Sequence, residues 1–235
     1  GCGDMWGGII NSGGVVIVSN NSLIQDAISA ISSANGNRII VTGSRFDKNY
    51  YDISLSNGSF PLIQTTIYGN TFDCSSPISK APHVNQITRA HIQLDNVTDL
   101  VIGDAARNTN SFLKGAVGIN ANYSSLFVFH NDFNPQEGRS CAIRGKGAGN
   151  RKDGNIIIVG GSGSNEFNTF SNAGWGVQCN GVEKVNSYHN NLNNCYRGIS
   201  LTNIRESVSN NNVVKNFYNG IEIYDAIFPD PGDLC

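Results

Sequence analysis

Acids are few in this chain of 235 residues, 18 in all, so their spacing is informative. Asp95, Asp99 and Asp104 surround the apolar run Leu100-Val101-Ile102, and Asp225, Asp230 and Asp233 gather near the C-terminal end. Glycoside hydrolysis needs two carboxyls held about 5–9.5 Å apart. A polysaccharide lyase needs calcium-binding acids and an Arg or Lys base. Neither set assembles from the spacing, so no catalytic residue and no metal ligand is assigned. The tail acids leave calcium as the one cofactor to consider, against the plainer reading of a solvated acidic turn. His83, His91, His130 and His189 show neither metal-ligand spacing nor a Ser or Asp partner. Basic residues are concentrated between Pro135 and Asn155, where Arg139, Arg144, Lys146, Arg151 and Lys152 alternate with Gly145, Gly147 and Gly149. A glycine-rich basic stretch suggests a phosphate cradle, but no GxxxxGK[ST] and no following helix accompany it. A solvated loop or a contact for an anionic polysaccharide remains. Tyr196 and Tyr218 are the aromatic residues whose spacing suggests a shared stripe suited to a sugar, with packing at a corner as the plainer account.

Composition narrows what can position these groups. There are 33 asparagines and 27 glycines, while the good helix formers are scarce, which excludes a helical bundle. Net charge is -2, with 16 Lys+Arg, so a protein that coats nucleic acid is disfavoured. No run approaches the roughly 18 apolar residues of a membrane span. Six cysteines, none in a CxxC pair, argue against zinc ribbons and thioredoxin-type motifs. Their even number and the low charge suit disulfides in an extracellular or cell-surface setting. The alternative is free thiols serving as small hydrophobes. Cys179 and Cys195 fall at apolar positions, which favours that alternative for these two. The opening at Gly1 is explained by processing or by a longer parent. Sequons at Asn20, Asn57, Asn96 and Asn122 matter only in a glycosylating host.

An internal repeat organises the chain. Asn168-Thr169-Phe170, Asn190-Asn191-Leu192 and Asn212-Val213-Val214 are equivalent at a step of 22 residues. The same step carries Asn172 to Asn194 to Asn216, Gly176 to Gly198 to Gly220, and Val177 to Ile199 to Ile221. The template is N-x-Φ-x-N-Φ-x-x-G-Φ-x-Φ, with Φ apolar. Looser copies begin at Ser22, Ser44, Asn70, Asn110 and Asn131, giving about nine. Such a period, with alternating apolar positions and Asn or Gly at turns, predicts an all-β protein: a parallel β-solenoid of about nine coils. Coils stacked at the strand spacing of about 4.8 Å make a rod roughly 40 Å long. Asn168, Asn190 and Asn212 would then form an amide ladder. Glu183 falls over Arg205 and Lys184 over Glu206, reversed pairs that support the register as structural contacts. The segment Ser22–Ile31 reads either as a capping helix with Ser22 as N-cap or as a coil; the 22-residue match to Ser44 and Phe46 favours the coil. Residues 1–228 form one domain, and 229–235 a proline-rich exit. Two stretches break the period, Ser75 to Ala90 and the basic one from Pro135 to Asn155, and function is expected where the period breaks.

The Asn-x-Φ…Gly-Φ-x-Φ coils from Asn168 to Ile223 resemble the right-handed parallel β-helix of the pectate-lyase-like superfamily. Cys2-Gly3-Asp4-Met5-Trp6-Gly7-Gly8-Ile9, followed by Ile24-Gln25-Asp26-Ala27 and Phe46-Asp47-Lys48-Asn49, is similar to large secreted bacterial surface proteins with β-helix regions, many exported by the type IX route. That resemblance implies an adhesin-like or filament-forming surface protein. The paired-Asp signature of polygalacturonases and the vWiDH-type signature of pectate lyases are not matched. The expectation is therefore a non-enzymatic structural or adhesive module, whose partners are other copies of itself or other domains of a larger surface protein. A lyase or hydrolase using a lateral groove near the basic stretch is the alternative. A glycan-binding module on Tyr196 and Tyr218 is a third reading. Neither nucleic acid nor membrane insertion is expected.

Overall fold

A computed structural model describes residues 3–136, 138–148, 155–163 and 165–224. Among these there is no helix; 25 short strands pair only in parallel. Each coil contributes one strand to each of three lateral sheets, as in Trp175–Asn180 (sheet I), Lys184–Tyr188 (sheet II) and Asn191–Asn193 (sheet III). Sheet I has nine strands and sheet III eight, while sheet II is divided into runs of three and five. The segment Ser22–Ile31 is coil, with strands Leu23–Gln25 and Ser29–Ala34.

The predicted register holds. Val177 pairs with Ile199 and Ile199 with Ile221, and at the other end Ile9 pairs with Ile31 and Ile31 with Ile53. Longer steps, from Ile53 to Ile92 and from Ile143 to Val177, occur where chain loops out before rejoining the same file. Inward side chains thus form continuous columns. The template position N-x-Φ becomes a stack of Phe46, Phe72, Phe112, Phe133 and Phe170, with ring centroids 5.2, 4.8, 4.6 and 5.0 Å apart. Stacking at the strand spacing is near-ideal for offset aromatic contact. The template glycine follows from that column. A Cβ at Gly176 would lie 2.7 Å from Leu192 Cδ2 and 2.6 Å from the Gly198 carbonyl oxygen, and one at Gly198 3.1 Å from Val214 and 2.3 Å from the Gly220 carbonyl oxygen, so the next coil's backbone demands it as well.

The asparagine ladder is longer than the three predicted rungs. Asn70, Asn110, Asn131, Asn168 and Asn190 each donate Nδ2 to the Oδ1 of the next, ending at Asn212, at 2.9–3.1 Å. The same Nδ2 of Asn168 also donates to the Val128 carbonyl of the preceding coil (2.8 Å), and its Oδ1 accepts the Asn131 backbone N–H (3.1 Å). Asn70 to Asn190 are buried to within 1 % exposure, so each amide satisfies backbone that water does not reach. The second asparagine of the template has a different reason. Asn172, Asn194 and Asn216 have φ of 53, 55 and 51°, the left-handed corner that Asn tolerates best after Gly. The charge pairs also form, Glu183–Arg205 at 3.3 Å and Lys184–Glu206 in direct contact.

Truncating one ladder rung leaves several buried groups unpaired at once. Asn168→Ala is expected to lower stability by about 1–3 kcal/mol, and Phe133→Ala, which removes the middle of the ring stack, by about 3–5 kcal/mol. Glu183→Gln, on the surface, should cost less than about 1 kcal/mol and lose its effect in high salt. Denaturant midpoints of the three variants check the order; a Glu183 effect as large as the Asn168 effect would contradict it.

Candidate functional site

The residues singled out by sequence do not share one place. Arg139 is exposed in the segment between Phe133 and Cys141, next to Gly138. Arg144 and Lys146 are not in a loop: Cys141–Lys146 is a strand of sheet I, paired with Val117–Asn122 on one side and Trp175–Asn180 on the other. The basic loop expected from Pro135 to Asn155 is therefore interrupted by a strand. Two of its glycines are packing residues. A Cβ at Gly145 would meet Ile157 Cδ1 at 2.4 Å, and one at Gly147 the Gly181 carbonyl at 2.0 Å. The spacing mimicked a mobile glycine loop because both positions face close backbone or core. Arg151, Lys152 and Gly149 lie outside the described residues, as do Asp225, Asp230, Asp233 and the exit segment 229–235.

On the outer face of sheet I, Arg144 stands in a file with Gln93, Asn120 and Gln178, and Lys146 in one with Asp95, Asn122 and Asn180. Amides hold the acid of this face: Asp95 accepts from Asn122 Nδ2 (2.8 Å) and Gln93 Nε2 (2.9 Å). Asp99 and Asp104 do not join it. Asp99 bonds Ser59 at the corner after sheet I, and Asp104 lies beyond sheet II near Arg107.

Two pairings escaped the sequence reading. Asp47 and Asp73 are register partners on adjacent coils, a stacked carboxylate pair where none was expected. Arg45 Nη2 reaches both, at 3.8 and 3.2 Å, and Ser75 donates its N–H and hydroxyl to Asp47. The pair thus clamps the start of the first insertion. That insertion buries Ile78, pairs Lys80 with Asp26 at 3.0 Å, and bonds the first coil through Met5 N–H to the Ala81 carbonyl. The second pairing is His91 Nδ1 with Asp52 Oδ2 at 2.6 Å, both side chains fully buried. They occupy the small-residue file that elsewhere holds Ala30, Gly118 and Gly176. Asn49 also donates to Asp52 (2.9 Å), and His91 lies 6.1 Å from the rings of Phe72 and Phe112. Burial raises the Asp52 carboxyl above its ordinary value, more than the bonds from His91 and Asn49 lower it. Asp52 falls 22 residues after Ala30, at the repeat's own step; the insertion from Ser75 concealed that His91 takes the same place. The other histidines are surface or corner residues. His130 and His189 sit in left-handed corners and bond carbonyls of Asp104 and Gly161, and His83 stacks on Tyr50.

Cys74, Cys141, Cys179 and Cys195 are all buried free thiols, so the disulfide expectation fails for the described cysteines. They fill inward or covered places as small hydrophobes. Burial pushes the Cys141 thiol up to about 12 although Arg144 lies beside it, and it does the same for Cys179.

Tyr196 and Tyr218 do come together. They stack 5.0 Å apart and nearly parallel where sheet III turns into sheet I, and both are exposed. A slot of about 380 Å³ opens along this corner, from Gln136 and Gly138 at one end to Asn216 and Tyr218 at the other. A second groove, of about 450 Å³ and more apolar, lies on sheet II between Phe127, Phe129, Ile158 and Tyr188.

Asp52 supplies a pH signature. A carboxyl with a folded value above its unfolded value of 3.8 contributes stability that is full below that value and is lost as pH rises through the folded one. The unfolding free energy of the native chain minus that of Asp52→Asn is therefore expected to fall as pH rises above 3.8. Urea unfolding across a pH series measures it, and a difference that grows over that range would contradict the burial argument. Cys141 and Cys179 are expected to stay unmodified by maleimide at neutral pH in the folded chain and to react on unfolding, as read by mass spectrometry.

No protein-family model, curated protein or solved structure matches the chain. What the coordinates establish is the architecture, a parallel β-solenoid of about nine turns.

Proposed function

We propose that this chain is a non-enzymatic structural or adhesive module of an extracellular or cell-surface assembly. The observation that carries the reading is the unbroken amide file from Asn70 to Asn212, which ties six consecutive coils through buried bonds. With sheets I and III paired in parallel from coil to coil without a break, the chain has few places to open locally, and a rod of that kind resists proteolysis and transmits load along its axis. The lateral acids are engaged by the chain itself: Asp95 by amides, Glu222 by Arg197 at 3.3 Å, and Asp47 with Asp73 by Arg45. An oxidising compartment is compatible with the free cysteines, because burial raises all four described thiols, Cys141 and Cys179 to about 12, and leaves little thiolate. The likeness of the opening and of Phe46–Asn49 to type IX-exported surface proteins favours the same location. Partners on this reading are other domains of a larger surface protein or further copies of the chain.

The experiment is a turnover and digestion assay on the purified chain. Neutral and anionic polysaccharides incubated with it are expected to show no new reducing ends and no unsaturated products. The native chain is expected to survive a protease that degrades it rapidly once unfolded. Turnover that disappears in Asp73→Asn would replace the supporting role with a hydrolase built on the Asp47–Asp73 pair.

A further inference from the structure

The corner between sheets III and I carries three equivalent places, Gly174, Tyr196 and Tyr218, each just before a sheet I strand in register with its neighbours. Tyr196 and Tyr218 stack with their planes 2° apart. The aromatic file stops at Gly174, so the other face of Tyr196 has no ring against it from that coil. Gly174 itself admits no side chain. A Cβ there would lie 2.7 Å from the carbonyl oxygens of both Gly138 and Ser140. The segment between Phe133 and Cys141, which breaks the repeat, therefore crosses at the place of the missing ring. The slot of about 380 Å³ begins there, lined by Gln136 and Gly138, and continues past Ala173 to Tyr196.

The polar wall of the slot is an amide file. Asn194 Nδ2 donates to Asn172 Oδ1 at 2.7 Å, and Asn172 Nδ2 donates to Asn134 Oδ1 at 3.0 Å. A primary amide has two N–H groups and an oxygen with two lone pairs, so each keeps bonding capacity after these contacts. Among the described residues that line the slot, none carries a formal charge. The corner thus offers aromatic carbon at Tyr196, which is 52 % exposed, and at Tyr218, which is 70 % exposed, beside a row of neutral donors and acceptors repeated at the coil spacing. A ligand that matches has an apolar C–H face, hydroxyls at its rim, no charge and a repeating form.

We propose that this slot binds a neutral saccharide chain, with one sugar ring packed on the exposed carbon of Tyr196 and its hydroxyls bonded to the amides of Asn172 and Asn194. The site goes beyond the supporting role, since a rod needs neither the gap at Gly174 nor the segment that crosses it. Arg139 follows Gly138 and is exposed, but the recognition does not use its charge.

The test is calorimetric titration of the full chain with short β-1,4-linked oligomers of glucose, mannose and xylose, and with oligogalacturonate as the anionic counterpart. At least one neutral oligomer is expected to bind with a dissociation constant below about 1 mM. Tyr196→Ala should weaken it about tenfold or more, Tyr196→Phe should stay within about threefold, and Tyr123→Ala, on another corner, should leave it unchanged. Saturation-transfer NMR on the unmodified chain gives a readout that needs no variant: magnetisation should pass from tyrosine ring protons most strongly to the sugar ring C–H protons. The proposal is overturned if no neutral oligomer binds at about 10 mM, if Tyr196→Ala folds and binds normally, if only the anionic oligomer binds and salt abolishes it, or if a bound oligomer receives no transfer from tyrosine.

Discussion

A buried asparagine amide must find partners for two N–H groups and an oxygen, and in this protein it finds them in the coils directly before and after its own. That requirement disciplines everything else. Six amides from Asn70 to Asn212 lie close enough to bond only if successive coils keep one register. A slip of one residue would bury a side chain meant for solvent and strand the Val128 and Ile102 carbonyls that the ladder satisfies. At the first coils the rule relaxes, where Ser44 stands in the ladder place and only its backbone N–H meets Asn70.

Once register is set, the remaining template positions follow from what each neighbour leaves. The phenylalanine stack occupies the interior beside the ladder, so the facing place on sheet I is restricted to Gly or Ala in most coils. Left-handed corners select Asn at 172, 194 and 216 for backbone reasons alone. Asn191, three residues before the corner at Asn194, does neither job and faces solvent. The abundance of one residue type thus has at least two separate causes, buried amide pairing and corner geometry.

Departures from the template are where the chain has spent irregular structure. Asp52 and His91 replace two small residues by a buried hydrogen-bonded pair, set between the first insertion and the Phe72–Phe112 rings. Burying a lone carboxyl would be costly, and two bonds to it, one from His91 and one from Asn49, offset part of that cost. The segment between Phe133 and Cys141 converts a regular corner into a slot in the same way, by crossing where the next coils place tyrosine. The repeat supplies rigidity, and its interruptions supply distinct chemistry.

The period, the parallel coil, the ladder at Asn168, Asn190 and Asn212 and the reversed charge pairs were legible in the sequence by itself, because a solenoid converts a fixed spacing along the chain into a contact between neighbours. The stack of Tyr196 on Tyr218 was legible for the same reason. What the spacing did not reveal depends on chain that leaves the period. Once the first insertion intervenes, residue counting no longer tells which coil position His91 takes, so its meeting with Asp52 is decided only in three dimensions. Asp47 over Asp73 was hidden by the extra residues between their coils. Gly145 and Gly147 looked like a mobile loop, but close approach of Cys179 and the Gly181 backbone makes them strand and corner. The cysteines show the same limit: their even number is a property of composition, whereas the burial of the four described ones as separate thiols is a property of where the columns run.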